Sequence, residues 1–328
     1  MKKYGSLIIA GSLSWDTIMD FPGRFVDHLA PEKLHQINVS FVVGNLERQM
    51  GGTATNIAYA ASQTANAVKF KILNSKFEIP IVILGGLWKD GGEHLRFFRK
   101  NNIDTRGIVV DKTVFSANGS VITDTKDNQI WGFYYGACQR GKDADFSTYA
   151  RKDSLMIISA NHPDAFLAAQ QYAVRNGVDY LYDAGMTLTW ITDRDLKQGV
   201  LNAAFLIGND YEIAMIMKRI RMTEKKLAEK GIGVVTTLGE KGVAFEGKNI
   251  VIPAVKVRKV VDPTGAGDGF RGGFMIALAC GYDIIDCLKV GSAVASFAVE
   301  RYGTVNYQIT KREFDNRLKE LNRKSYET

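Results

Sequence analysis

Asp268 stands among glycines in VVDPTGAGDGFRGGF, residues 260–274, and the stretch runs straight into the apolar MIALACG. Pro263 stops the extended segment before it, Gly265 and Gly267 free the backbone, and a helix is expected to start within a residue or two. The first amides of a helix are unpaired and carry partial positive charge. Those of Gly265, Ala266, Gly267 and Asp268 would therefore suit a phosphoryl group whose negative charge grows on transfer. Asp262 and Asp268 could each be plain caps. A cap does not explain why glycines bracket Asp268 so tightly, leaving room for another molecule. A base that takes a hydroxyl proton while the amides hold the phosphoryl group does explain it.

A second constellation is MGGTATNIAYAAS, residues 50–62. Gly51 and Gly52 would admit a ligand to the backbone and Asn56 would hydrogen-bond its hydroxyls, although close helix packing accounts for the same small residues equally well. Two other phosphate loops fail. GACQRGKD, residues 136–143, satisfies G-x-x-x-x-G-K but puts Asp143 where Ser or Thr would ligate magnesium, and it follows a hairpin strand. After the first strand GSLSWD stands in place of G-x-G-x-x-G, which excludes a dinucleotide fingerprint.

The elements that must position these residues alternate. SLIIAG, IPIVILGGL, SLMIISA, VDYLYDAG, AAFLIGND and IGVVTTLG read as buried strands, separated by helical patterns such as DAFLAAQQYAVRNG and YEIAMIMKRIRMTEKKLAEKG. Such βαβ alternation implies a mostly parallel sheet covered on both faces. Residues 16–45, with MDFPGRF and NVSFVV, and 113–137, where SVITDT and QIWGFYYGA flank KDN, break the rhythm and read as a small sheet acting as a lid. Helices are expected over 265–280, 284–302 and 311–324.

Composition bounds the function. The chain has 328 residues, 46% hydrophobic and 23% charged, as a folded protein does. Its net charge of +7 is spread along the chain, and the densest run, KRIRMTEKKLAEK, mixes in glutamates at helical spacing, so nucleic-acid binding is not expected. LIIA is too short for a signal sequence and no apolar run reaches the ~20 residues of a membrane span. Three cysteines, Cys138, Cys280 and Cys287, make no disulfide framework and point to the reducing cytoplasm. His28, His35, His94 and His162 lack metal-ligand spacing, and the N-x-S triplets at Asn38 and Asn118 carry no meaning in a cytosolic chain.

GGTATNIA and DPTGAGDGFRGGF resemble the two signatures of the ribokinase-like (pfkB) family of carbohydrate and nucleoside kinases, and order, spacing and lid insertions agree along nearly the whole chain. The resemblance implies an α/β three-layer sandwich with a mostly parallel central sheet plus a small β lid: residues 1–15, 46–112 and 138–328 in the large body, 16–45 and 113–137 in the lid. GSLSWDTIMDFPGRF, LAPEKLHQINVSFVV and FYYGA are most similar to the bacterial adenosine kinase branch. The implied reaction moves the γ-phosphoryl of ATP to the 5′-hydroxyl of a nucleoside, adenosine first among them. Asp268 is then the base, and the amides of Gly265, Ala266 and Gly267 form the anion hole.

By the same match Ser12, Asp16, Gly52 and Asn56 would bind the ribose hydroxyls, with Gly51 beside them, and Phe133 would stack on the base instead of being a core aromatic of the lid. GNDYE matches N-x-x-E, in which Asn209 and Glu212 organise Mg2+ and its waters around the ATP phosphates; the bland alternative is a capped strand-to-helix turn. TTLGEKG would lay Thr237, Gly239 and Gly242 along ATP, with residues 291–300 walling its adenine. Three positions depart from the pattern: Met186 and Thr187 replace a glutamine pair, and Gly119 stands where a second stacking phenylalanine is expected, so the base pocket is altered. Arg271 either reaches the transferring phosphate or pairs with an acid on the helix surface, and the pair is favoured. A sugar kinase for a ribose- or fructose-like acceptor and a broad-specificity nucleoside kinase are the alternatives; a silent binding relative would not need the intact Asp268 site. Exposed lid strands are expected to offer a homodimer edge.

Overall fold

SLIIA becomes strand β1 (Ser6–Ala10), an interior strand of the large sheet of the computed structural model, which describes residues 2–29, 38–72, 79–126, 128–246 and 250–323. Leu7 and Ile9 enter one core and Ile8 and Ala10 the other, as the two-residue period of a strand requires when both faces are covered. β1 runs parallel to β4 (Ile81–Trp88) on one side and β9 (Ser154–Ile158) on the other.

From β9 the sheet continues through β10 (Asp179–Tyr182), β11 (Phe205–Asn209) and β12 (Gly233–Thr237), all parallel, then β13 (Val243–Phe245) and β14 (Ile250–Ile252), both antiparallel. Beyond β4 lie the short β5 (Ile103–Asp104) and β6 (Ile108–Asp111). Helices α1 (Thr53–Ile72), α2 (Gly92–Lys100), α8 (Ala266–Ala279), α9 (Ile284–Val299) and α10 (Lys311–Asn322) give residues to the Leu7 core. The opposite core takes α3 (Phe146–Tyr149), α4 (Pro163–Asn176), α5 (Asp193–Leu201), α6 (Asp210–Ile220) and α7 (Glu224–Glu229). The architecture is the expected three-layer α/β sandwich.

A separate small sheet has the order β3 (Asn45–Gly51), β2 (Ser14–Asp20), β7 (Ala117–Thr123), β8 (Gln129–Tyr134). β7 and β8 form the expected hairpin. Its third member differs from expectation: NVSFVV carries no strand, and the polar NLERQMG pairs with β2 from Asn45 through Gly51. Backbone pairing along β2 holds that strand without an apolar pattern, while Phe41 packs its ring on Phe21 and Phe25. The boundary drawn at 45/46 therefore falls inside a lid strand, and Ser14 and Trp15 also lie in the lid sheet.

The helices of the last third match expectation to within a few residues. YEIAMIMKRIRMTEKKLAEKG, in contrast, is two helices. Arg221 turns left-handed at φ 55° to end α6, and Thr223 caps α7 through the Lys226 amide. GACQRGKD folds as a 3-10 segment, Gly136–Asp143, in which Asp143 pairs with Arg140 at 3.0 Å.

Helices α1 and α8 bring the two glycine-rich motifs together. A Cβ at Gly272 would meet Ala60 Cβ at 2.5 Å and the Ile57 carbonyl at 2.7 Å, and one at Gly273 would meet Val294 Cγ2 of α9 at 2.7 Å. These two glycines of RGGF thus serve helix approach.

Candidate active site

Gly265 opens α8 at φ 78°, a conformation that disfavours side chains, and a Cβ there would lie 2.9 Å from Thr304 Cγ2. Asp262 ties the approach: one carboxylate oxygen accepts from the Thr264 amide at 2.8 Å and the other from Gly303 at 3.1 Å. It is structural, as the cap reading allowed. The Ala266 amide donates to the Pro263 carbonyl at 3.2 Å, so it is spent in the turn and leaves the expected anion hole. Among the described residues, the amides of Gly265, Gly267 and Asp268 have no acceptor.

Asp268 follows, one carboxylate oxygen accepting from Asn56 Nδ2 of α1 at 2.8 Å. The Thr304 hydroxyl, 2.7 Å away, donates to Asn56 Oδ1 and orients the amide. Burial pushes the Asp268 carboxyl up to about 6, against the Arg271 charge and the Asn56 hydrogen bond and aided by Asp183 and Glu212. A carboxyl so raised is still mostly ionised at neutral pH and is a stronger base than an ordinary carboxylate.

Asp268, Gly267, Arg271, Asp183, Asn209 and Glu212 line one cavity of about 440 Å³. Asn209 and Glu212 form a reciprocal capping box on α6, side chain to amide at 2.8 and 2.9 Å. The capped turn and a place on the cavity wall are thus both real. Burial raises the Glu212 carboxyl, with Asp183 adding to the rise. Arg271 does pair with an acid, but not on the helix surface: its Nη2 donates to Asp183 Oδ1 at 2.6 Å, and the two side chains are 9% and 4% exposed. Ser159 donates to the other Asp183 oxygen at 2.6 Å.

Beside this cavity opens a larger apolar cleft of about 680 Å³, with Thr237, Gly239 and Gly242 on one flank and Ser292, Ala295 and Val299 of α9 on the other. Thr237, Gly239 and Gly267 line both spaces. Gly242, at φ 103°, packs so closely on the Ile252 carbonyl that a Cβ would stand 2.0 Å from it.

The lid carries its own row. Asp16 of β2 is opposite Gly119 of β7, which is opposite Phe133 of β8. A Cβ at Gly51 would come within 2.0 Å of the Asp16 carboxylate and one at Gly119 within 3.0 Å, so both glycines make room for that acid. Burial lifts the Asp16 carboxyl to about 6, with a hydrogen bond from Ser14 opposing. Phe133 is 37% exposed and is no core residue. Trp131 lies 3.2 Å from the Cβ position of Gly119, so its indole takes up the space a larger residue 119 would fill.

Ser12 and Gly52 lie at the entry to α1. The Ser12 hydroxyl accepts from the Thr53 amide at 3.1 Å and Ser12 is buried, while Gly52, at φ 89°, presses on the Ser12 carbonyl. Both build the turn into α1. Of the altered pair, Met186 lines the phosphate-side cavity and Thr187 is buried. His94 is buried against Ser14 O at 3.0 Å, His162 caps α4, His28 packs on Phe21, and His35 is outside the described residues. Thr304, Asp183 and Trp131 were missed by sequence reasoning. Asp183 alone carried a signal, a carboxylate at the C-terminal end of a parallel strand, where α/β sheets place their ligands.

A poised carboxylate beside unpartnered helix-mouth amides, opening on two adjoining spaces, defines a phosphotransferase with an alcohol acceptor. Residues 15–311 match the pfkB family of carbohydrate kinases, and the chain belongs to that family. It is 29% identical over 306 residues to the nucleoside kinase of Methanothermobacter thermautotrophicus, covering 93% of this chain and 92% of that protein. The Burkholderia thailandensis nucleoside kinase in complex with inosine superposes with a TM-score of 0.82 at 26% identity, over 98% of this chain and 100% of that one. Its complex with ADP-inosine gives 0.79 at 26% identity, over 98% of each chain.

Proposed function

We propose that the protein transfers the γ-phosphoryl group of ATP to the 5′-hydroxyl of a nucleoside, with Asp268 accepting the hydroxyl proton. The observation that carries this reading is the shared wall: the apolar cleft and the carboxylate cavity meet at Gly267, beside Asp268. ATP would lie with its adenine against α9 and its phosphates along Thr237, Gly239 and Gly242. The amides of Gly265 and Gly267 would hold the transferring group. Relatives that are nucleoside kinases, one of them bound to inosine, support a nucleoside over a free sugar.

On the acceptor side Asp16 and Asn56 would bind the ribose hydroxyls, a carboxylate and an amide suiting a vicinal diol. Phe133 and Trp131 would cover the base. The lid would close over both and exclude water, so that phosphate goes to the sugar and not to solvent. Adenosine is the acceptor we place first, in purine salvage.

Among the described residues no cluster of three or more His, Cys, Asp or Glu side chains could cage a metal. The donors present instead fit a Mg2+ carried by the nucleotide, with Asn209 and Glu212 holding its waters. When bound it supplies charge neutralisation on the phosphates. No described helix is long and apolar enough to cross a membrane and the three cysteines are unpaired, which supports the cytoplasm. Among the described residues β8 is an exposed edge strand of the small sheet, which supports a homodimer joined through the lids.

The test is ADP release from ATP and Mg2+ with adenosine, guanosine, inosine, cytidine, uridine, ribose and fructose, the Asp268→Asn variant serving as blank. Turnover of nucleosides above ribose is expected. Turnover of ribose or fructose alone would replace the reading by a sugar kinase.

A further inference from the structure

Of the residues lining the carboxylate cavity, Arg271 alone is cationic; Asp183, Asp210, Glu212 and Asp268 share its walls. Its guanidinium is fixed. Nη2 is held by Asp183, itself anchored by Ser159, at 2.6 Å in each case. Nη1 lies 2.6 Å from where a Cβ on Gly267 would be, so the group rests against the first turn of α8, beside an amide without an acceptor. Nε is buried and has no partner among the described residues.

Arg271 lies three residues beyond Asp268 on the same helix, the spacing that puts both on one face. An ion pair made only for stability gives little reason to bury a guanidinium, because desolvation offsets most of the attraction. A planar fork with one edge tied and another donor unused is, in contrast, what an incoming phosphoryl group can use.

We propose that Arg271 is a further catalytic residue, whose N–H groups not used by Asp183 stabilise the charge on the phosphoryl group during transfer. The inference rests on the kinase reading above. In that step the bond from the γ-phosphorus to its bridging oxygen breaks, and the electron pair leaves with ADP. The acceptor oxygen bonds to phosphorus and its proton passes to Asp268. Arg271 stays protonated throughout and meets charge that is largest in the transition state.

Three variants test this with ATP, Mg2+ and the best acceptor of the panel: Arg271→Met, Arg271→Lys, and Arg271→Met combined with Asp183→Asn. Arg271→Met is expected to lower kcat about 10²- to 10³-fold while acceptor KM changes by less than about threefold. Arg271→Lys should restore less than about a tenth of the rate, since one ammonium cannot hold Asp183 and the phosphoryl group together. The double variant leaves neither charge unpaired, so it folds even where the single variant does not. If it stays as slow as Arg271→Met on the high-pH plateau of its rate profile, where Asp268 is ionised, with native circular dichroism, the catalytic role stands. A double variant within about tenfold of wild-type kcat would overturn it and leave Arg271 the neutraliser of Asp183. A wild-type chain inactive on every acceptor would overturn the kinase reading itself.

Discussion

Asp268 and Asp16 are both carboxyls that burial lifts to about 6, one beside the helix mouth and one on the lid. Asp268 must be ionised to take a proton and Asp16 to accept from a diol, so kcat/KM should fall below pH 6 with a log slope approaching two. In Asp16→Ala the slope should drop to one; a slope that stays at two would remove Asp16 from the titration. The same elevation sets the sign of a stability effect. A folded carboxyl above its unfolded value favours the fold when protonated, and that contribution is lost as pH rises from about 4 to about 6. Asp268→Asn should therefore cut turnover by about 10²- to 10⁴-fold yet melt above the wild type at pH 8, with the gap closing toward pH 4.

At the scale of elements, the α1–α8 contact decides where Asp268 sits. Gly272→Ala would drive a methyl into Ala60, the Ala61 amide and the Ile57 carbonyl, all within 2.7 Å. Backbone cannot yield there as a side-chain tip can, so a loss of about 3 kcal/mol is expected from urea unfolding, together with lower kcat as α8 shifts Asp268 from Asn56. The β7–β8 hairpin has a different task. Trp131→Ala removes the indole that covers Gly119, and should raise KM for nucleosides about tenfold while leaving ribose, if it is turned over at all, unaffected. Equal effects on both would make Trp131 a structural residue of the lid.

For the whole molecule, the alternation of SLIIAG with helical runs exposed the layered sheet because a strand covered on both faces has to be apolar throughout. The helix mouth at Asp268 was legible for a similar reason: proline, glycines and an apolar run each have a local meaning. What stayed hidden depends on long-range pairing. β3 is polar and is recognised only by its partner β2. Arg271 and Asp183 are 88 residues apart, and the strand order that joins them is written in no local pattern. Thr304 orients Asn56 from a loop that bears no motif.

The wall shared by Thr237, Gly239 and Gly267 also limits the path that phosphorus can take. With donor and acceptor placed as proposed, the two meet across this shared wall, so one in-line crossing suffices and no phosphorylated carboxylate need intervene. A γ-phosphorus made chiral with oxygen isotopes should emerge with its handedness inverted; retention would require two crossings, with Asp268 itself carrying the phosphoryl group between them.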